Sequence, residues 1–238
     1  IRNMGRAGIP VLCYNFMPQV TADAMVVRTD FAHPARGGAL TSRFRAADYR
    51  PEMTPHTEAP TDDAAMWKNL ERFLAEVVPA AEDAGVRLAM HPDDPPLSPM
   101  AGLARIMRSP EAYERLFNLQ PSPANGMTFC LGCFLEMPCD LAAAARRFAG
   151  RIHFVHFRDV GGGPADFWET FPDDGPTDFV PVFRALAETG FAGCVRVDHV
   201  PTMEGEAEET RGYGMSGHLF AIGYLRGLLQ ASLGKNAG

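Results

Sequence analysis

The chain has 238 residues, 46% of them hydrophobic, enough for one large α/β domain with a sizeable core and too apolar for extended disorder. Its net charge of −7 comes without any block of like charges, which argues against nucleic acid or an anionic membrane surface as a partner, although basic residues can still line a pocket for an acidic substrate. No apolar run is long enough to span a bilayer and no signal pattern is present, so the expected location is cytoplasmic; five cysteines, an odd and small number, do not suit a disulfide framework.

The first segment, Ile1 to Gly8, reads as the end of a helix closing on glycine, so the chain is expected to lack its beginning. Five short apolar stretches with strand character follow: Ile9–Tyr14, Val86–Met90, Met127–Cys130, Ile152–Val155 and Cys194–Val197. Helical periodicity lies between and after them. Met66–Ala84 spaces Leu70, Phe73, Leu74, Val77 and Val78 on one face and ends at Gly85. Pro110–Phe117, Asp140–Phe148, Phe179–Thr189 and Ser216–Ser232 are the other helical segments. Two regions break the rhythm. Residues 18–61 are long, polar and rich in Pro, Gly and Thr, and read as an excursion or lid; Gly161–Pro176 reads as a second, mobile loop. Strand and helix in alternation predict a parallel sheet with helical crossovers, and the absence of a glycine-rich phosphate loop disfavours an open doubly wound sheet. Residues 1–238 are therefore expected to form a single, partial α/β barrel domain.

Residues of metal-binding type fall at the carboxyl ends of successive predicted strands: His91, Cys130, His156 and Asp198. In parallel α/β folds these ends converge on one face, where sites are built. Taken singly, each has an ordinary reading, as a surface histidine, a small buried thiol or a helix cap; recurrence at consecutive strand ends is what points to a metal. His153 and His156 differ by three positions and so face opposite sides of a regular strand; His156, at the strand end, is the candidate ligand, and His153 is read as structural. Cys130 and Cys133 form a C-x-x-C, but no second such pair exists to complete a zinc knuckle. Asp198-His199 sets a carboxylate beside an imidazole, and Tyr213 lies between Gly212 and Gly214, where a phenol can approach a ligand. His91-Pro-Asp-Asp-Pro-Pro96 is a loop stiffened by prolines that fixes His91 near two acids suited to support ligating imidazoles or substrate hydroxyls.

Several segments resemble the mannonate dehydratase family in family order: Val11-Leu-Cys-Tyr-Asn-Phe-Met-Pro18, Arg28-Thr-Asp30, the His91 loop, Phe129-Cys-Leu-Gly132, His153-Phe-Val-His-Phe-Arg158, Asp174-Gly-Pro-Thr-Asp178, Val197-Asp-His199 and Gly212-Tyr-Gly-Met-Ser-Gly217. The resemblance implies a xylose-isomerase-like (β/α)8 TIM barrel whose first βα units are absent from this chain. It implies conversion of D-mannonate to 2-keto-3-deoxy-D-gluconate in hexuronate catabolism. It implies Mn2+ or Fe2+ on His91, Cys130, His156 and Asp198, with His199 and Tyr213 as the acid/base pair. Tyr14, Asn15, Arg28, Asp93 and Arg158, within these segments, are the candidate substrate contacts, and a homo-oligomer, a dimer, is the expected assembly. The sequence departs from the family pattern in a short, proline-rich Arg50–Thr61, in Pro176 where an acid is common, and in Val200 where glycine usually follows the Asp-His pair. The competing readings are a sugar isomerase or epimerase of the same barrel type, and a truncated barrel that binds metal or a sugar acid without turnover.

Overall fold

The computed structural model describes residues 1–17, 27–54, 59–206 and 212–234. A five-stranded parallel sheet is its centre, in the order β1 (Val11–Tyr14), β4 (Arg87–Met90), β5 (Asn125–Cys130), β6 (Ile152–Phe157) and β9 (Cys194–Val197). These are the five stretches the sequence marks, with ends shifted by at most two residues. Every residue of β5, the middle strand, is buried, as expected for a parallel strand covered on both faces.

Helices α2 (Asp63–Ala84), α3 (Pro110–Leu119), α5 (Leu141–Arg147), α6 (Val180–Glu188) and α7 (Met215–Leu233) are the long segments of helical period, and α1 (Arg2–Arg6) is a short first turn. Helix α2 starts where the Asp62 carboxylate accepts the Ala65 N–H at 2.8 Å and stops at Gly85, whose φ of 65° a residue with a Cβ adopts at a cost. It buries Leu70, Leu74, Val78 and Ala81 against the sheet; α3 adds Tyr113 and Leu116, and α6 adds Val182 and Phe183. Each fully buried large apolar side chain contributes about 1.5–3 kcal/mol relative to exposure.

Two expectations are corrected. The segment Gly161–Pro176, read as a mobile loop, contains most of an antiparallel hairpin, β7 (Asp159–Gly163) and β8 (Asp166–Thr170). The described part of 18–61 is not a bare excursion either: it carries β2 (Asp30–Pro34) and β3 (Leu40–Arg45), and residues 18–26 and 55–58 lie outside the described set. Together they form a second sheet in the order β2-β3-β8-β7. Its own small core holds Val27, Phe44, Met100, Val160 and Phe167. Phe44 stacks on Phe167 across β3 and β8 with ring centres 5.7 Å apart. An additional helical turn, α4 (Leu131–Glu136), starts at Cys130 and was not anticipated. No helix among the described residues is long and apolar enough to cross a membrane.

Candidate active site

The parallel register decides which side chains meet. Cys130 on β5 pairs with His156 on β6, and His156 pairs with Arg196 on β9. His91 follows β4, its N–H bonded to the Tyr14 carbonyl at 2.7 Å; Asp198 follows β9, its N–H bonded to the Phe157 carbonyl at 3.0 Å. Four side chains from four neighbouring strand ends thus point at one place. One donor atom from each of His91, Cys130, His156 and Asp198 lies within 4.8 Å of all the others. His91 Nε2 is 3.2 Å from His156 Nδ1, His156 Nδ1 is 3.6 Å from Asp198 Oδ2, and Cys130 Sγ is 3.7 Å from the same oxygen.

The donor chemistry fits a divalent ion. Four atoms bound at about 2.0–2.3 Å to a common centre in a tetrahedron sit roughly 3.3–3.8 Å apart, close to the separations seen. His91 Nδ1 is 2.7 Å from the Pro92 carbonyl, a contact that puts the ring proton on Nδ1 and leaves the Nε2 lone pair to the cluster. Burial alone pushes the Cys130 thiol up, but hydrogen bonding from Cys133, the charge of Arg158 and the two imidazoles hold it well below the ordinary thiol range. Burial alone lowers His91, yet hydrogen bonding to Cys130 and the charges of Cys130 and Asp198 raise it to about 9.

His91, His156 and Asp198 line a cleft of about 380 Å³. Its walls include Tyr14, Asn15, Asp94, Arg196, His199 and Tyr213. The His199 and Tyr213 rings meet edge to face, 5.1 Å between centres. Burial, and after it the Asp198 charge, raise the Tyr213 phenol above its ordinary value and outweigh Arg196, so the phenol keeps its proton near neutral pH. The Tyr14 hydroxyl is buried and has no hydrogen-bond partner among the described residues.

The five candidate substrate contacts divide. Tyr14 and Asn15 line the cleft. Arg28, Asp93 and Arg158 do not; all three are buried. Asp93 turns away and accepts the Met107 N–H at 2.7 Å, because the stiff loop after His91 directs alternate carboxylates to opposite sides. Its neighbour Asp94 faces the cleft instead, gripped by Arg28 at 2.6 and 2.9 Å and by Arg158 at 2.9 Å. Burial would raise the Asp94 carboxyl; the two guanidinium groups hold it below the ordinary carboxylate value. Arg158 also reaches Glu136 at 2.9 Å and Asp198 Oδ2 at 3.2 Å, so the two arginines form an ionic floor beneath the cleft.

His153 is buried, its Nδ1 2.7 Å from the Leu88 carbonyl, outside the donor cluster. Cys133 also lies outside that set and sits 3.2 Å from Arg158 Nη2. Two cleft-related residues escaped the sequence reading. Arg196, two positions before Asp198 on the same strand face, lies 3.3 Å from Asp198 Oδ1; strand parity alone would have flagged it. Glu169 comes from β8 and lies 2.5 Å from His199 Nδ1; the signal available was an acid on the buried parity of Asp166-Phe-Trp-Glu-Thr170.

Comparison with known proteins places this geometry among relatives. The model of the family described as D-mannonate dehydratase (UxuA) matches residues 52–237. The chain is 34% identical to the mannonate dehydratase of Streptococcus pneumoniae (strain 70585), with 98% of this chain and 70% of that protein covered. It is 36% identical to the mannonate dehydratase of Shouchella clausii (strain KSM-K16), with 97% and 72% covered. The crystal structure of mannonate dehydratase from Streptococcus suis serotype 2 superposes with a TM-score of 0.88 at 36% identity, over 98% of this chain and 69% of that one. A xylose isomerase-like TIM barrel protein from Mycobacterium smegmatis shares the fold, with a TM-score of 0.60 at 12% identity over 98% of this chain and 65% of that one.

Proposed function

Because the chain belongs to the D-mannonate dehydratase family, and is thus a hydro-lyase acting on a sugar acid, we propose that its cleft converts D-mannonate to 2-keto-3-deoxy-D-gluconate, a step in hexuronate breakdown. One juxtaposition supports the reading most: the His91, Cys130, His156 and Asp198 donors converge, and three of them, His91, His156 and Asp198, line the same cleft whose wall carries His199 and Tyr213 in contact.

The reaction removes a proton from carbon 2 and hydroxide from carbon 3, and the resulting enol tautomerises to the keto acid. Carbon 2 is a very weak acid, because its conjugate base piles charge onto a carboxylate. A Mn2+ or Fe2+ ion on the four donors supplies, when bound, the positive charge that makes this proton removable. Arg196, the cleft-lining residue with a permanent positive charge, favours an anionic substrate. The Tyr14 hydroxyl, without a partner among the described residues, and the Asn15 amide offer hydrogen bonds to sugar hydroxyls. His199 and Tyr213 carry the two proton transfers, and the phenol, which keeps its proton, suits protonation of the departing hydroxyl.

The test is turnover of D-mannonate by the Mn2+-loaded protein, read as appearance of a 2-keto-3-deoxy acid. His199→Asn and Tyr213→Phe should each lower kcat by about 100-fold or more, with bound metal unchanged. Normal turnover by the double variant removes both residues from the chemistry, and an isomerised or epimerised acid without loss of water removes the dehydratase assignment.

A further inference from the structure

We propose that Glu169 is a positioning residue for the reaction: it fixes the His199 imidazole through Nδ1 so that Nε2 serves the cleft. The inference rests on the role given to His199 above.

The geometry runs inward from the second sheet. On β8, Phe167 and Glu169 share the buried face, while Trp168 and Thr170 face the other way. Phe167 is fixed by its stack on Phe44. The Arg28 guanidinium lies over the Phe167 ring, 4.9 Å from its centre, and its Nη2 reaches Glu169 Oε1 at 2.8 Å. The same carboxylate oxygen is 2.5 Å from His199 Nδ1. Glu169 is 2% exposed, so water does not compete for it.

A carboxylate at this distance accepts the Nδ1 proton, which selects the tautomer and stops the ring from rotating about its Cβ–Cγ bond. The remaining nitrogen, Nε2, stands on the cleft side, 3.8 Å from Asp198 Oδ1. Without an acceptor at Nδ1 the imidazole samples the flipped ring and the other tautomer, and only a fraction of molecules presents the reacting nitrogen. Arg28 at 2.8 Å and Arg158 at 3.5 Å hold the Glu169 carboxylate in place, and its shorter contact, to His199 Nδ1, is the one that orients the ring. The second sheet thereby acquires a function in the chemistry of the first.

The experiment compares Glu169→Gln and Glu169→Asp with wild type and with His199→Asn. Four quantities are read: kcat, KM, melting temperature and bound metal; proton NMR of the protein free of paramagnetic ion adds the hydrogen-bonded His199 ring N–H at low field. Glu169→Gln should lower kcat about tenfold or more with KM within about twofold, keep its metal, and lose the low-field proton. Glu169→Asp, which keeps the charge, should recover part of kcat and of the signal. If His199→Asn is inactive while Glu169→Gln turns over normally, the positioning role is overturned and the reading of His199 survives. If kcat of Glu169→Gln falls only in step with melting temperature or metal content while the low-field proton persists, Glu169 is structural and the proposal is again overturned. If His199→Asn itself retains normal turnover, the reading of His199 fails, and this inference with it.

Discussion

His153 and His156 lie three positions apart on one strand and have opposite fates. His156 joins the cluster of candidate metal donors; His153 is buried against β4, with its Nδ1–H donated to the Leu88 carbonyl. Burial lowers the His153 pKa below its ordinary 6.5, more than its hydrogen bonds raise it. A histidine held neutral in the fold contributes stability that is present above the unfolded value of about 6.5 and lost as pH falls through the folded value. Melting curves of wild type and His153→Gln should therefore converge as pH is lowered from about 7.5 to 5, with wild type losing more; a gap that stays constant with pH contradicts the assignment. This distinction was legible in the sequence, because strand parity alone separates the two histidines. The choice between Asp93 and Asp94 was not. Both follow His91 in one stiff loop, and only contacts from Arg28 and Arg158, 66 and 64 positions away, make Asp94 the one that faces the cleft. Glu169 was hidden for the same reason: its meaning depends on a partner 30 positions later in another sheet.

At the scale of elements, the β7–β8 hairpin is the part that the sequence misreported. The five parallel strands and the long helices were readable because each carries an apolar run or stripe of the right period. The hairpin carries Gly161, Gly162 and Gly163, which weaken every strand signal, and its core residues Val160 and Phe167 share a cluster with Val27, Phe44 and Met100, all distant in sequence, with Tyr49, Leu97 and Leu135 packed against it. The glycines have a packing reason. A Cβ on Gly161 would stand 2.7 Å from the Trp168 ring; on Gly162, whose φ is 94°, it would stand 2.2 Å from the Asp166 carbonyl oxygen. Gly162→Ala should cost about 1–3 kcal/mol, measured by denaturant unfolding. Because the same hairpin delivers Glu169 to His199, kcat should fall as well, by more than it does for a variant of equal cost placed in α2, such as Asp62→Ala at its N-cap. Equal losses of kcat in two variants matched for stability would separate the hairpin from the chemistry.

Across the whole molecule, the proposed metal donors bring together strand ends that are also joined by backbone ladders and a shared apolar core. His91, Cys130, His156 and Asp198 come from the ends of β4, β5, β6 and β9, four of the five strands of the parallel sheet. The unfolded chain has no such arrangement, so an ion that binds only the folded state adds stability by mass action. The chain spans 70% of the length of its Streptococcus pneumoniae relative, and β1 and β9 each pair on one side only among the described residues. An ion held across four strand ends would therefore resist their separation. Stripping the protein with a chelator should lower its melting temperature, and Mn2+ should restore it in a concentration-dependent way. At free metal one hundred times Kd the gain is about 2.7 kcal/mol, and each kcal/mol is worth about 2–4 °C for a chain of this size. Cys130→Ala should abolish most of that response, since it removes the thiolate from the donor set while leaving the three other ligands in place. His153→Gln, outside the cluster, should keep it. A melting temperature indifferent to both chelation and Mn2+ would mean that the four side chains converge without binding an ion.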